Sequence, residues 1–147
     1  VEGRLKIAER VGADVTVNVS EEDITSKVKE ETEGLGADVV IEAVGLPTTW
    51  QKALELVAKG GTVLEFGGCP SGTKIEVDTE LLHYGEVTLI GTFHATPEEF
   101  SKAFDLISSG RIDVKPIISM EKPLEEIKEV FDSILQSKKV LKVSIIP

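Results

Sequence analysis

Strand-like and helix-like segments alternate through the first half of the chain, and this alternation restricts the fold more than any other feature. Residues 15–19 alternate valine with polar residues, and residues 37–45 and 62–68 are largely apolar runs that end in glycine. Helix patterns lie between these strand patterns. Strands joined by helices run parallel with right-handed crossovers. The order therefore predicts an α/β fold with a parallel sheet, in which the 37–45 strand is buried on both faces.

The boundaries of the predicted helices can be placed from capping residues. The second helix is expected to begin at Ser20, whose hydroxyl can cap it, and to end near Glu33. The third is expected to begin with Pro47 in its first turn and to end at Gly60-Gly61. Its predicted apolar stripe consists of Trp50, Ala53, Leu54 and Val57.

The pattern changes after residue 70. Residues 72–77 and 87–93 are predicted strands without a full helix between them. A helix is expected after Thr96, with Pro97 in its first turn and Glu99 completing a capping box. A short strand at 116–120, a helix from Pro123 and a final strand at 140–146 follow. The two helices have apolar stripes that are predicted to be buried: Phe100, Ala103, Phe104 and Ile107 in one, and Leu124, Ile127, Val130, Phe131 and Ile134 in the other.

Charge and composition exclude several classes of function. The net charge of −10 argues against nucleic acid and acidic membrane surfaces as partners. No apolar run approaches the roughly 20 residues of a membrane span, and no signal peptide is recognisable at the start. The single Cys69 excludes an internal disulfide and predicts a cytoplasmic protein. With only His83 and His94 beside it, this chain alone is not expected to bind zinc.

Two glycine-containing turns follow predicted strands and are candidates for ligand contact. Gly67 and Gly68 end the 62–68 strand pattern at the carboxyl edge, where open α/β sheets bind ligands. No helix follows them, so they do not form a phosphate-binding turn, and both ligand contact and a plain turn stay open. Val44 and Gly45 form a second candidate of the same kind, with a simple turn before Pro47 as the alternative.

Other candidate residues have a functional and a structural interpretation. Glu42 lies within an apolar strand and could act as a general base, although a local pairing is favoured. His94 could transfer a proton, but a polar loop residue is the commoner case. Trp50 is expected in the core rather than as a stacking surface, and Cys69 is not expected to be a nucleophile. A basic cluster of Lys138, Lys139 and Lys142 could meet a phosphate, although a solvated surface is favoured.

Five phrases in order resemble the zinc-type medium-chain dehydrogenases: "RLKIAERVGAD", "GADVVIEAVG", "ALELVAKGGTVLEFG", "VTLIGTF" and "AFDLISSGRIDVKPIIS". The resemblance covers essentially all 147 residues, and it is strongest to the polyol, threonine and sorbitol dehydrogenases. It implies an incomplete Rossmann-type parallel sheet that lacks its first two strands. Residues 1–93 would be the remainder of the nucleotide-binding domain, and residues 94–147 a C-terminal helix and strand extension that in relatives returns to the catalytic domain.

The resemblance also implies a set of residues that contact NAD or NADP. Arg4 matches a basic position near the adenosine ribose, and Val44 and Gly45 match the adenine side. Phe66, Gly67 and Gly68 match the stretch along which nicotinamide packs, and backbone at Thr92, Phe93 and His94 matches the part that holds the carboxamide. No catalytic or zinc-binding position of the family maps onto this sequence, so zinc would belong to the parent enzyme.

The implied parent reaction is hydride transfer between a secondary alcohol or polyol and nicotinamide, with the isolated chain inactive. A non-enzymatic nucleotide-binding or interaction fragment is the alternative. Without the first two strands, residues 16–19 are expected to pair beside residues 39–44. A helix face left uncovered in this way would favour a homo-oligomer.

Overall fold

The computed structural model describes residues 2–136 and 140–147, which form two compact units. One unit is Glu22–His94, and the other combines Val1–Glu21 with Ala95–Pro147. Lys138 and Lys139 lie outside the described residues, so the predicted basic cluster stays a prediction. Lys142 begins the last strand.

The Glu22–His94 unit contains a three-stranded parallel sheet. Its elements are α2 (Ile24–Glu31), β1 (Ala37–Glu42), α3 (Pro47–Leu56), β2 (Val57–Glu65), α4 (Thr79–His83) and β3 (Thr88–Gly91). The strand order is β1-β2-β3, and both pairs are parallel. Glu42 lies beside Glu65, which in turn lies beside Gly91. The predicted α/β class with parallel strands is confirmed.

The hydrophobic core of this unit lies on one face of the sheet. Val63 of β2 is fully buried, and it packs with Ala53 and Leu54 of α3. On the opposite face, the side chains of Val39 and Ile41 in β1 are 61% and 62% exposed. The prediction that this strand is buried on both faces is therefore wrong. The helix α3 covers only the Val63 face, and an apolar strand is buried on both sides only where both sides are covered.

Residues 15–19 do not form a strand, and their predicted pairing beside β1 is wrong. In the described residues β1 pairs with β2 only. A strand needs a neighbouring strand for its backbone N–H and C=O groups, and none of the described strands pairs with this segment. Side chains in and beside this segment form local hydrogen bonds instead. The Thr16 hydroxyl donates to Glu9 Oε1 (2.8 Å), and the Ser20 hydroxyl donates to Asn18 Oδ1 (2.7 Å).

Two boundaries and one predicted strand in this unit differ from the sequence prediction. Asp23 rather than Ser20 caps α2, and its carboxylate accepts from Ser26 N at 2.8 Å. The strand β2 begins at Val57 and continues through Gly60-Gly61, where its register with β1 shifts. Residues 72–77 are irregular rather than a strand, because Ile75 and Val77 pack against the core without joining the sheet.

The second unit contains α1 (Glu2–Arg10), α5 (Pro97–Ser108), β4 (Ile118–Pro123), α6 (Ile127–Gln136) and β5 (Lys142–Ile146), with short 3-10 helices at Lys115–Ile117 and Leu124–Glu126. The strands β4 and β5 form a parallel pair. The predicted capping box is confirmed: Glu99 N donates to Thr96 Oγ1 (3.3 Å), and Thr96 N donates to Glu99 Oε2 (2.6 Å).

The apolar stripes of α5 and α6 are largely exposed, which contradicts the predicted burial. In α5, all four stripe residues are exposed, including Phe100 and Phe104. In the second stripe only Val130 is buried. An amphipathic pattern records which face of a helix can be buried, whereas actual burial needs an element packed against that face.

Candidate functional site

The carboxyl ends of β1, β2 and β3 lie at one edge of the sheet, because the strands are parallel and adjacent. Eight of the nine predicted cofactor-binding residues follow these ends. They are Val44 and Gly45 after β1, Phe66, Gly67 and Gly68 after β2, and Thr92, Phe93 and His94 after β3. Arg4 belongs to α1 of the other unit, where its Nη2 donates to the Val140 carbonyl at 3.2 Å.

The turns after β1 and β2 approach each other so closely that two of their residues must be glycine. A Cβ on Gly67 would lie 2.4 Å from the backbone N of Gly45 and 2.6 Å from Glu42 Oε2. Gly45 has φ +81°, and its Cβ would lie 2.6 Å from the Gly68 carbonyl oxygen. At Gly68 itself a Cβ would meet nothing within 4 Å. Gly45 and Gly67 are therefore required for packing, whereas Gly68 presents open backbone to a ligand.

This difference predicts that two neighbouring substitutions change the free energy of unfolding by unequal amounts. Gly67→Ala should lower the free energy of unfolding by about 1–3 kcal/mol, because the new methyl group overlaps backbone atoms that cannot move away freely. Gly68→Ala should change it by less than about 0.5 kcal/mol. Urea unfolding followed by circular dichroism compares the two. Equal stability of both variants would contradict the close approach described here.

Glu42 is a structural acceptor at the end of β1. Its side chain is 5% exposed and accepts hydrogen bonds from Val44 N (2.8 Å), Gly45 N (3.0 Å) and Thr49 Oγ1 (2.7 Å). Burial acts to raise the pKa of this carboxyl, but the bonds from Thr49 and the backbone amides lower it below its ordinary value. An ionised carboxylate with its oxygens occupied is a poor proton acceptor. The structure thus favours the local pairing over the general base.

Glu65, at the end of β2, is a second buried carboxyl, and the sequence predictions missed it. It is 3% exposed, and neither carboxyl oxygen has a hydrogen-bond partner among the described residues. Burial, and then the nearby Glu42 charge, raise the pKa of Glu65 to about 7. The alternation of side chains along β2 could have predicted this burial, because Glu65 is two residues after the core residue Val63 and lies on the same face of the strand.

A cleft of about 350 Å³ lies over the ends of β2 and β3. Its lining includes Trp50, Glu65, Gly67, Gly68, Cys69 and Thr92. The half-buried Trp50 donates from Nε1 to the Gly67 carbonyl at 2.8 Å, so its indole forms a cleft wall rather than core packing. Burial and the charges of Glu42 and Glu65 raise the pKa of the Cys69 thiol, which keeps it protonated and a weak nucleophile. Three predicted residues, Gly67, Gly68 and Thr92, thus border one cleft.

Of the remaining predicted residues at this edge, Gly45 is buried, and Val44, Phe66, Phe93 and His94 are exposed. Phe66 and Phe93 present their rings to solvent, and Phe93 is 85% exposed. The Phe93 and His94 rings lie 3.7 Å apart between centroids. His94 has φ +64°, a left-handed conformation that is uncommon for a residue with a side chain. Such backbone strain is frequent near ligand sites.

No group of three or more His, Cys, Asp or Glu side chains in residues 2–136 and 140–147 is arranged to hold a metal ion. The described residues do not fit a catalytic zinc, and no chemical step is assigned to a metal on them. In the same part of the chain, no helix combines the length and apolar character needed to span a membrane.

Comparisons with known proteins show the family and the fold of this chain. Residues 1–109 match the model of the family described as zinc-binding dehydrogenase. The erythritol/L-threitol dehydrogenase of Mycolicibacterium smegmatis is 34% identical over 98% of this chain, which spans only 39% of that relative. The structure of alcohol dehydrogenase TADH from Thermus sp. ATN1 matches all of this chain and 42% of its own, with a TM-score of 0.89 and 28% identity.

A further structure, from Sinorhizobium meliloti 1021, is described as a zinc-binding dehydrogenase bound to NADP. It is 32% identical, has a TM-score of 0.88, and matches 98% of this chain and 42% of its own. The parallel α/β fold is therefore that of the nucleotide-binding part of these enzymes. The match spans well over half of the chain, and this protein belongs to the zinc-binding dehydrogenase family.

Proposed function

We propose that this chain supplies the nicotinamide side of the cofactor site in an NAD(P)-dependent, zinc-type alcohol or polyol dehydrogenase. The observation that carries the proposal is the cleft at the carboxyl edge, which the open backbone of Gly68 and the side chain of Trp50 border. Similarity to polyol dehydrogenases and to an NADP-bound structure supports it. The chemistry that a nicotinamide supplies when bound is hydride exchange with the carbon of a secondary alcohol.

Each predicted residue has a specific role in this proposal. Phe66, Gly67 and Gly68 border the ring, with Gly67 acting through the close approach of the two turns, and the backbone from Thr92 to His94 contacts its carboxamide. Val44 and Gly45 belong to the adenine side, with Gly45 acting through the shape of the turn. Arg4 remains a predicted partner of the ribose, where a guanidinium can bond hydroxyls or a 2′-phosphate.

Binding of the cofactor tests this proposal directly. Trp50 is the only tryptophan and lines the cleft, so NADH or NADPH should quench its fluorescence. Gly68→Leu should weaken binding by about tenfold or more, because the new side chain fills the open space beside the backbone. Gly3→Leu, in α1, is the matched control, since its Cβ would also meet nothing within 4 Å. Wild-type protein that binds neither nucleotide would contradict the proposal.

We also expect no dehydrogenase turnover from the 147-residue chain by itself. No side chain at the carboxyl edge is assigned to alcohol activation, and the described residues do not fit a zinc. The measurement is the rate of NAD(P)H formation with polyol and zinc present. Alcohol-dependent formation above the enzyme-free rate would overturn this expectation.

An interaction fragment is the second candidate function, and the open face of the sheet favours it. Val39, Ile41 and Ile90 are exposed there, and a contiguous apolar surface of this kind commonly contacts protein. We propose that the chain forms a homo-oligomer in the cytoplasm. We propose no nucleic-acid or membrane partner, because the net charge of −10 disfavours both. Sedimentation of the wild-type chain and of Ile41→Lys tests it: the variant should shift toward monomer.

A further inference from the structure

The peptide that joins Gly67 to Gly68 has little intrinsic preference for one orientation. Neither residue has a Cβ, and a peptide between two glycines can rotate at low cost because glycine accepts φ values that other residues avoid. Close packing restrains Gly67, but a Cβ on Gly68 would meet nothing within 4 Å. The Gly68 N–H has no acceptor among the described residues. A single orientation of this peptide therefore depends on hydrogen bonds to Gly67.

Two hydrogen bonds hold Gly67, one on each side. Its N–H donates to the Glu42 carbonyl at 2.9 Å, which ties the turn to the end of β1. Its carbonyl accepts from Trp50 Nε1 at 2.8 Å. An indole is a donor only, so it can hold a carbonyl but cannot accept from an N–H that replaces it. If the peptide rotated, the N–H of the half-buried indole would lose its partner, which costs free energy.

The Trp50 side chain is attached to a fixed part of the fold. It belongs to α3, whose Ala53 and Leu54 are buried in the core against β2. A tryptophan side chain has only two rotatable bonds, so holding it in place costs little conformational entropy. The hydrogen bond to Gly67 therefore connects the turn after β2 to a helix that the core keeps in position.

We propose that Trp50 is a positioning residue, which sets the orientation of the Gly67–Gly68 peptide for the nicotinamide half of the cofactor. No cis peptide bond occurs in the described part of the chain, so the Gly68 N–H points opposite to the Gly67 carbonyl and away from the indole. Trp50 thereby fixes the direction of a donor that is free for a ligand. The inference rests on the proposed function and gives this indole a role beyond forming a cleft wall.

Replacing only the indole N–H tests this role. Trp50→3-benzothienylalanine has sulfur in place of the N–H and keeps the size of the ring system. It should bind NADH about five- to tenfold more weakly in isothermal titration calorimetry, the effect of one hydrogen bond. Trp50→Phe should lose at least as much affinity. ADP-ribose, which lacks the nicotinamide, should bind the wild type and both variants equally.

A control variant and a second readout separate positioning from a general loss of stability. Ala53→Gly, in the same helix, lowers helix stability without touching the turn, so its NADH affinity should stay within about twofold of the wild type. The Gly68 amide should give one sharp NMR signal in the wild type. In the benzothienyl variant the signal should broaden or split, because the peptide then exchanges between orientations. An equal loss of NADH affinity in Ala53→Gly would overturn the inference.

The two readouts also distinguish failure of this inference from failure of the proposed function. If the wild type binds NADH and the benzothienyl variant binds it equally well, the proposed function stands and the role of Trp50 is wrong. If the Gly68 signal changes in the variant but the wild type binds neither NADH nor NADPH, Trp50 holds the turn as inferred and the proposed function is wrong.

Discussion

At pH 8, Glu65→Gln is expected to raise the free energy of unfolding by about 3 kcal/mol, and at pH 4 the variant and the wild type should be nearly equal. The folded-state pKa of Glu65 is raised to about 7, against an ordinary value of 4.5. Below pH 4.5 the carboxyl is protonated in both states and the shift has no effect. Between pH 4.5 and 7 the unfolded chain releases this proton first, which favours unfolding. Stability is therefore lost as the pH rises, at about 1.4 kcal/mol for each pK unit of difference.

The measurement is urea unfolding of both proteins at intervals from pH 4 to pH 8. The quantity to compare is the difference between variant and wild type, which cancels the titration of all other groups. Glu76→Gln, on the exposed surface, provides the control and should show no comparable trend. A difference that stays constant from pH 4 to pH 8 would show that Glu65 is already ionised, or already paired, in the folded chain.

Glu42→Leu is expected to lower the free energy of unfolding by about 4 kcal/mol, because two backbone amides are left unpaired at about 1–3 kcal/mol each. These donors are Val44 N and Gly45 N, whereas the Thr49 hydroxyl can still donate to the Leu46 carbonyl at 2.9 Å. The two amides belong to the turn that approaches Gly67, so they are poorly placed to find water. Glu42→Gln should lose less than half as much, since its amide oxygen still accepts from the backbone.

A second readout of the same substitution tests the coupling between the two carboxyls. Removing the Glu42 charge should lower the pKa of Glu65, because that charge is one of the two causes of its rise. The pH-dependent part of the unfolding free energy should then shrink in Glu42→Leu. A loss of less than 1 kcal/mol at pH 7 would instead mean that the turn holds its shape without this acceptor.

The sequence predicted local features well where the determinants are themselves local. Pro47 at the start of α3 and the Thr96–Glu99 capping box needed only a few adjacent residues, and both were confirmed. The parallel pairing of β1 and β2 followed from the helix between them, whereas β3 was predicted as a strand without a full helix before it. Residues 15–19 show the limit, because a strand also requires a neighbour to pair with, and the pattern does not say whether one exists.

Burial and chemistry at the site were less predictable, because both depend on distant parts of the chain. The stripe around Phe100 and Phe104 is amphipathic whether or not anything covers it. Glu65 was overlooked because its surroundings arise from strand register, which places it next to Glu42 from 23 positions away. The glycines were found by sequence, but only the close approach of two turns separated Gly67 from its neighbour Gly68.

The near-contact between Gly45 and Gly67 links two segments that are separate in sequence. A Cβ on either residue would overlap backbone of the opposite turn, so neither turn can be reshaped independently. Efforts to change nucleotide preference at this edge should therefore vary both turns in a single library. Replacing only one of the two turns with its counterpart from another dehydrogenase would place it against a turn of a different shape. Such grafted proteins would fail because the two turns clash, even where the ligand contacts are well chosen.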